Sequence, residues 1–369
     1  MKTFILTQKD LKEIVEAVGI DTMMDDLIFR MRRTFQEFDS NRVIIPVRSG
    51  FEYHEPDFGL LEWMPAMTVG ETVTMKMVGY HPTNTSKRHI PSVFATVSLY
   101  DTTSGHLMGL ADAIFMTALR TGAASALASE LMARPDSKTM GLIGAGVQGL
   151  TQLHALSRLF PIETAFVYDI DPVVSQGFVQ RASFMPIEII PITIDSLGDL
   201  VRKSDILCTA TSVELNSRPV FSDGDTQSWL HINAVGTDTA GKQEIPPALL
   251  ERCVVSPDFR DQAMIEGECQ YLSPEKIGPD LLSLLRDPQR CKKLQKERTI
   301  FDSTGWALED KIAMDLLIEY AQKFQLGTFM QIQSLSEDPL NPYGFFETRP
   351  SPATEVPSIL EILATRVNG

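Results

Sequence analysis

No apolar run in this sequence approaches the twenty or so consecutive residues that a membrane-spanning helix needs, so a membrane partner is not expected. Cysteine is equally scarce. Cys208, Cys253, Cys269 and Cys291 stand far apart and form no C-x-x-C pair, which supports neither a disulfide framework nor a zinc site. The six histidines are as scattered, with no H-E-x-x-H spacing, and no metal is expected. Positive charge is in deficit: 33 Lys and Arg against 48 Asp and Glu leave a formal net charge of −15. Phosphate backbones demand a basic face, so this balance argues against a nucleic-acid partner. An acidic protein that takes an anionic small molecule must instead gather a few cations locally. The opening "MKTFILTQKDLKEIV" has a short apolar patch and then charges, unlike a secretory leader, and a cytoplasmic protein is expected.

What is present is ordinary globular composition, 43% hydrophobic and 22% charged, over 369 residues, which suits two domains better than one core. "TQKDLKEIVEAVG" reads as a capped helix with Thr7 as N-cap and Gly19 at its end. "DTMMDDLIFRMRRTFQEF" is a second amphipathic helix. Short runs such as "RVIIPVRS", "GLLEWMPAM", "TVTMKMVGY" and "SVFATVSLYD", broken by Gly, Pro and Asn, predict an antiparallel or mixed sheet. "AIFMTALRTGAASALASELMA" predicts a long helix rich in small residues. From Ser137 strand and helix alternate, the rhythm of βαβ units and a parallel sheet. The expected architecture is α/β: a Rossmann-type doubly wound parallel sheet plus an N-terminal α+β substrate and dimerisation domain. The boundaries are drawn at 1–119 for the substrate domain, 120–310 for the nucleotide-binding domain and 311–369 for a C-terminal helix and arm, with a short final helix, returning to the first domain.

"GLIGAGVQG" places Gly144, Gly146 and Gly149 in G-x-G-x-x-G spacing, with Val147 and Gln148 between the last two. Glycines recur by chance, but this set ends an apolar strand and opens an amphipathic helix. In that context the first glycine turns the chain, the second admits a pyrophosphate and the third lets helix and strand pack. The helix N-terminus then offers N–H groups to phosphates. Asp169, 20 residues after Gly149 at the end of "VYD", is placed to accept both ribose hydroxyls and to repel a 2′-phosphate. No arginine follows it immediately, so NAD is favoured over NADP.

Three long cations lie in or beside apolar runs: Arg48 in "VRSG", Lys76 in "TVTMKMVGY" and Arg120 in "ALRTGAAS". A buried unpaired charge is costly, so each either snorkels, pairs with an acid or meets an anionic ligand. "VGTDTAGKQEI" sets a lone Asp238 between small residues just beyond the strand "HINAVG", at the carboxyl edge where such sheets bind ligands. A turn aspartate is the ordinary alternative. Lys242 and Glu244 of the same stretch are expected to pair and shape the turn. The methionines are expected to serve in packing, and His81 and His89 to face solvent.

These segments resemble the ornithine cyclodeaminase/μ-crystallin family of NAD(P)-dependent proteins along nearly the whole chain. The resemblance is carried by "MKMVGYHPTNT", "GLADAIFMTALRTGAASALAS", "LIGAGVQG", "HINAVGTDTAGKQEI", "IEGECQYL" and "FDSTGWALED". "DTMMDDLIFRM", "LMARPDSKTMGLIGAGVQGLTQLHALSRLFPIE" and "EDPLNPYGF" look closest to its lysine cyclodeaminase branch. The resemblance implies that Arg48, Lys76 and Arg120 hold the substrate carboxylate and that Asp238 is the general acid/base beside Cα, with Lys76 and Glu62 also at the reacting centre. It further implies that Glu268 meets the distal amine, that Thr121 helps hold the phosphates, and that Asn233 and Ser303, Thr304 and Gly305 line the nicotinamide end. Relatives usually carry proline or another residue where this chain has Ala240, a change that removes no functional group. The implied activity converts lysine to pipecolate, or ornithine to proline, with loss of ammonia and recycling of NAD, in a homodimer paired through the N-terminal sheet. The alternatives are an amino-acid dehydrogenase or a cyclic imine/ketimine reductase of the same family, or a binding protein in which the catalytic groups are dispensable.

Overall fold

The structure, a computed structural model, describes residues 1–346. Strands β1 (Thr3–Leu6), β2 (Val43–Ile44), β3 (Ser49–Tyr53), β4 (Gly59–Thr68), β5 (Thr72–Tyr80), β6 (Val93–Asp101) and β7 (Leu107–Asp112) come first. Strands β8 (Thr139–Ile143), β9 (Thr164–Tyr168), β10 (Glu188–Pro191), β11 (Ile206–Thr209), β12 (His231–Ala234), β13 (Val254–Pro257) and β14 (Thr299–Asp302) follow, and β15 (Thr328–Met330) ends the series. They form two sheets in two compact units. Among the described residues no helix is long and apolar enough to cross a membrane.

The first unit comprises residues 1–19, residues 39–114 and the described residues from Ala313 onward. Its sheet runs β15-β1-β7-β6-β5-β4-β2, with β3 paired to β4. All neighbours are antiparallel except β1 and β7. The helix Gln8–Val18 begins as expected: Thr7 and Asp10 make a reciprocal capping box, and Gly19 ends it at φ +83°. Side chains alternate across the sheet. Met64, Ala66, Thr74, Lys76, Val97, Leu99 and Ala111 share one buried face. On the other face Phe51, Leu61 and Phe94 are exposed and Trp63, Met75 and Met77 half-buried, so the sheet keeps an uncovered apolar side.

The second unit comprises residues 20–38 and 115–312. Its seven strands are all parallel in the order β10-β9-β8-β11-β12-β14-β13. The chain winds from β8 to one edge, then returns to β11 and builds toward the other. The order therefore reverses between β8 and β11, the place where doubly wound sheets open a ligand crevice. The helix Ile114–Met132 is buried almost throughout, because its Ala, Gly and Ser residues let neighbours come close. At Gly122 a Cβ would lie 2.5 Å from the carbonyl oxygen of Thr151 in the helix Val147–Leu159.

One boundary needs correction. The helix Ile20–Gln36, assigned from sequence to an unbroken first domain, belongs to the second unit. Its buried face of Met23, Met24, Leu27, Ile28, Met31 and Phe35 is part of that unit's packing, and Asp21 bonds to His154 and Arg158 of the helix Val147–Leu159. Amphipathicity shows that a helix has a buried side, not which core it joins. The helix Ala307–Phe324 leads to β15, which pairs with β1. Residues 338–343 run as bends and turns into the 3₁₀ turn Gly344–Phe346, rather than as an extended arm. The short final helix expected from sequence lies outside the described residues.

Candidate active site

The glycine loop leaves β8 with Gly144 at φ +98°, a region that only glycine enters cheaply. A Cβ on Gly144 would strike the carbonyl group of Ala210, and one on Gly149 would strike the carbonyl oxygen of Gly144. Around Gly146 nothing stands within 4 Å, so the middle glycine borders open space at the start of the helix Val147–Leu159. Val147 is exposed beside it and Gln148 half-buried. Asp169, just past β9, accepts the Ala145 N–H on Oδ2 at 2.8 Å and the Asp171 N–H on Oδ1 at 3.0 Å. A carboxylate oxygen can take a further donor, so both remain suited to ribose hydroxyls. Open space over Gly146, helix-terminal amides and a strand-end carboxylate together fit a dinucleotide.

The loop 235–245 follows β12 and carries Asp238. Its frame is Glu244, whose fully buried carboxylate accepts from Thr209 Oγ1 (2.7 Å), Thr211 N (2.8 Å), Thr211 Oγ1 (2.6 Å) and Gly236 N (2.9 Å). Burial raises the Glu244 pKa, against the pull of those donors. Gly236 has no room for a side chain, since a Cβ would collide with the Glu244 carboxylate. Asp238 does not stand alone: Lys242 Nζ donates to its Oδ1 at 2.7 Å. The Asp238 side chain is 36% exposed whereas that of Lys242 is 3% exposed, so the ammonium backs a carboxylate that still faces outward. Tyr271 Oη and Gln270 Nε2 hold the Lys242 carbonyl at 2.9 and 3.3 Å. The expected Lys242–Glu244 pair is thus corrected: each has a different partner, because Glu244 points into the sheet end.

Burial marks two of the expected site residues. Glu268 is fully buried, and its Oε1 accepts from Thr237 Oγ1 at 2.7 Å and from the amides of Glu244 and Ile245 at 2.8 and 3.2 Å. Oε1 thus braces the loop frame, while Oε2 finds no hydrogen-bond partner among the described residues. Burial pushes its carboxyl up to about 8, with the Asp302 charge adding to the rise. Asn233 is also fully buried, its Nδ2 donating to Ser129 Oγ at 2.9 Å within the sheet-to-helix packing. The Thr121 hydroxyl, expected near phosphate, donates to the Thr117 carbonyl one turn back.

Beyond β14, the Ser303 N–H donates to the Ala234 carbonyl at 2.9 Å, and Thr304 and Gly305 are fixed by Asp258, which accepts from Thr304 Oγ1 at 2.9 Å and Gly305 N at 2.7 Å. Gln262 Nε2 reaches both Thr304 Oγ1 and the Gly305 carbonyl at 3.0 Å. The buried Ser303 hydroxyl finds no partner among the described residues. Gly305, at φ +88°, lies under Arg120, whose Nη1 and Nη2 would stand 3.0 Å from a Cβ there. Arg120 is buried and donates from Nη1 to Glu309 Oε2 at 2.7 Å and from Nε to Asp310 Oδ1 at 3.1 Å. Burial works to lower its pKa, but the Asp310 and Glu309 charges outweigh that and hold it above the ordinary value. Glu309, Asp310, Asp258, Glu244 and Lys242 were not singled out as site-forming from sequence; a run of buried-segment acids in "ALED" was the available signal.

In the first unit Arg48, Glu62 and Lys76 are brought together. Glu62 in β4 and Lys76 in β5 point to the same sheet face by register, and Arg48 Nε lies 3.3 Å from Glu62 Oε1. Lys76 is 1% exposed, a cation held among apolar strands. Gly50 makes room for this group, since a Cβ there would come within 2.7 Å of Glu62 Cγ. His81 bonds Tyr53 Oη through Nε2 at 2.7 Å, so it is not simply solvent-facing, whereas His89 is exposed.

The model of the ornithine cyclodeaminase/mu-crystallin family matches residues 8–324. An L-lysine cyclodeaminase of Streptomyces rapamycinicus is 40% identical over 344 residues, 93% of this chain and 99% of its own. A solved lysine cyclodeaminase, described in terms of recognition of L-lysine, L-ornithine and L-2,4-diaminobutyric acid, superposes with a TM-score of 0.90 at 43% identity, covering 94% of this chain and 100% of that one. An archaeal alanine dehydrogenase dimer with bound NAD gives a TM-score of 0.77 at 28% identity, covering 90% of this chain and 100% of that one.

Proposed function

Since the chain belongs to the ornithine cyclodeaminase/mu-crystallin family, we propose that it is an NAD-dependent cyclodeaminase, converting L-lysine to L-pipecolate or L-ornithine to L-proline with release of ammonia. The observation that carries this reading is the near full-length likeness to lysine cyclodeaminases in a chain that keeps both the glycine loop and Asp238. The glycine loop and Asp169 would hold the pyrophosphate and ribose, and the unpartnered Ser303 hydroxyl suits the nicotinamide carboxamide. Bound NAD supplies reversible hydride acceptance at Cα, so oxidation, ring closure and reduction leave no net redox change.

The chain's own residues do the rest. Arg48 and Lys76 offer cations to a carboxylate and Glu62 an anion to an amine, a charge pattern that matches an amino acid. Arg120, clamped by Glu309 and Asp310, is a fixed donor for anionic groups. Asp238, backed by the Lys242 ammonium, takes the proton of the attacking amine and returns one to departing ammonia. Fixing the α-carboxylate keeps Cα in place while the distal amine closes on it. Lysine and ornithine differ by one methylene, worth about 1–3 kcal/mol of selectivity. The uncovered apolar sheet face suits a homodimer, and the four free cysteines suit a reducing cytoplasm.

The likeness to the alanine dehydrogenase favours a second reading, a net dehydrogenase. Incubation with NAD⁺ and L-lysine, and separately L-ornithine, with ammonia, NADH and cyclic product measured together, decides between them. Cyclic amino acid and ammonia without accumulating NADH support the cyclodeaminase. Stoichiometric NADH supports the dehydrogenase.

A further inference from the structure

The glycine loop is gripped at one residue from two sides. Asp169 Oδ2 accepts the Ala145 N–H at 2.8 Å, while Arg181 Nη2 donates to the Ala145 carbonyl at 2.8 Å and to the Val174 carbonyl at 2.8 Å. Arg181 ends the helix Pro172–Arg181, and Gly177 lets its guanidinium pass, for a Cβ there would stand 3.0 Å from Nη1. A carboxylate and a guanidinium therefore hold opposite ends of a single residue, which bounds their separation at roughly 9 Å. In sequence the arginine lies 12 positions beyond the acid, too far to be read as its neighbour. Among the described residues its hydrogen bonds run through Nη2, and the residue is exposed.

We propose that Arg181 is a latent 2′-phosphate cation, masked by the neighbouring Asp169 carboxylate and unmasked when that charge is removed. The carboxylate accepts ribose hydroxyls and repels a phosphate; without it, the guanidinium's Nε and Nη1 donors are available to the phosphate oxygens. The inference rests on the dinucleotide reading of the glycine loop.

Calorimetric titration of NAD⁺ and NADP⁺ into the unaltered protein, Asp169→Asn, Asp169→Ser and Asp169→Asn/Arg181→Gln tests it. Asparagine keeps an oxygen for the Ala145 N–H, and serine provides a second neutral variant. The unaltered protein should prefer NAD⁺. Both single variants should gain NADP⁺ affinity on the order of tenfold, the scale of one hydrogen bond to a charged group, and the double variant should lose that gain. A double variant that binds NADP⁺ as well as Asp169→Asn overturns the role of Arg181. Neutral variants that bind NAD⁺ but gain nothing for NADP⁺ overturn the proposal while leaving the nucleotide site intact. An unaltered protein that binds neither dinucleotide overturns both.

Discussion

Glu244→Ala should loosen the loop that carries Asp238 and cost about 3 kcal/mol of stability. The buried carboxylate satisfies four donors, of which the Thr209 and Thr211 hydroxyls can rotate toward other acceptors. The amides of Thr211 and Gly236 cannot. Each buried amide left without an acceptor costs about 1–3 kcal/mol, so the pair sets a range of about 2–6 kcal/mol. Removing a carboxylate whose pKa burial has raised offsets part of that loss and places the net value in the lower half of the range. Urea unfolding followed by circular dichroism reads the stability. Turnover on the diamino acid should fall further than stability alone explains, by up to about a hundredfold, because Asp238 loses its fixed place. An unchanged unfolding midpoint with full turnover would refute the reasoning, since it would mean that neither amide needs the carboxylate.

Asp238→Asn should cut turnover by about 10²–10⁴-fold while calorimetry still detects NAD binding at the glycine loop; near-normal turnover would remove Asp238 from the proton chemistry. Glu268, raised by burial to about 8, stabilises the fold in its protonated form. That contribution is fully present below the unfolded carboxyl value of about 4.3 and is lost as pH rises through about 8, so it should lower the thermal midpoint between about pH 4 and 8 and leave it level above that. Glu268→Gln should make that slope shallower, and equal slopes in both proteins would contradict the assignment. Gly50→Ala should lower stability by about 1–3 kcal/mol, read by urea unfolding, because its Cβ would meet the Leu61 carbonyl oxygen at 2.5 Å and Glu62 Cγ at 2.7 Å.

Features with a local cause were legible in the sequence. The glycine loop, the Thr7 cap and the alternation of strand and helix after Ser137 each follow from spacing within a few residues, and the structure has them. Pairings across long separations were not. Arg120 finds Glu309 and Asp310 some 190 positions away, and the acid that frames the Asp238 loop reaches back to Thr209 and Thr211. Within the loop the charges were visible but their partners were not, because direction depends on which side chain turns toward the sheet end. Burial was not legible either: Glu268 and Asn233 stand in matching motifs, and their bonds with Thr237 and Ser129 tie both into the packing. The helix Ile20–Gln36 shows the limit of periodicity, which marks a face without naming its partner.

The central claim is that the hydride leaves and returns to the same carbon within one turnover. Mass spectrometry of the cyclic product formed from L-lysine deuterated at Cα tests it most directly, with L-ornithine as the parallel substrate. The account predicts a cyclic amino acid that keeps the deuterium at the ring carbon bearing the carboxylate, with ammonia released in equal amount. Deuterium recovered in free NADH, or a cyclic product that has lost it, would contradict the account.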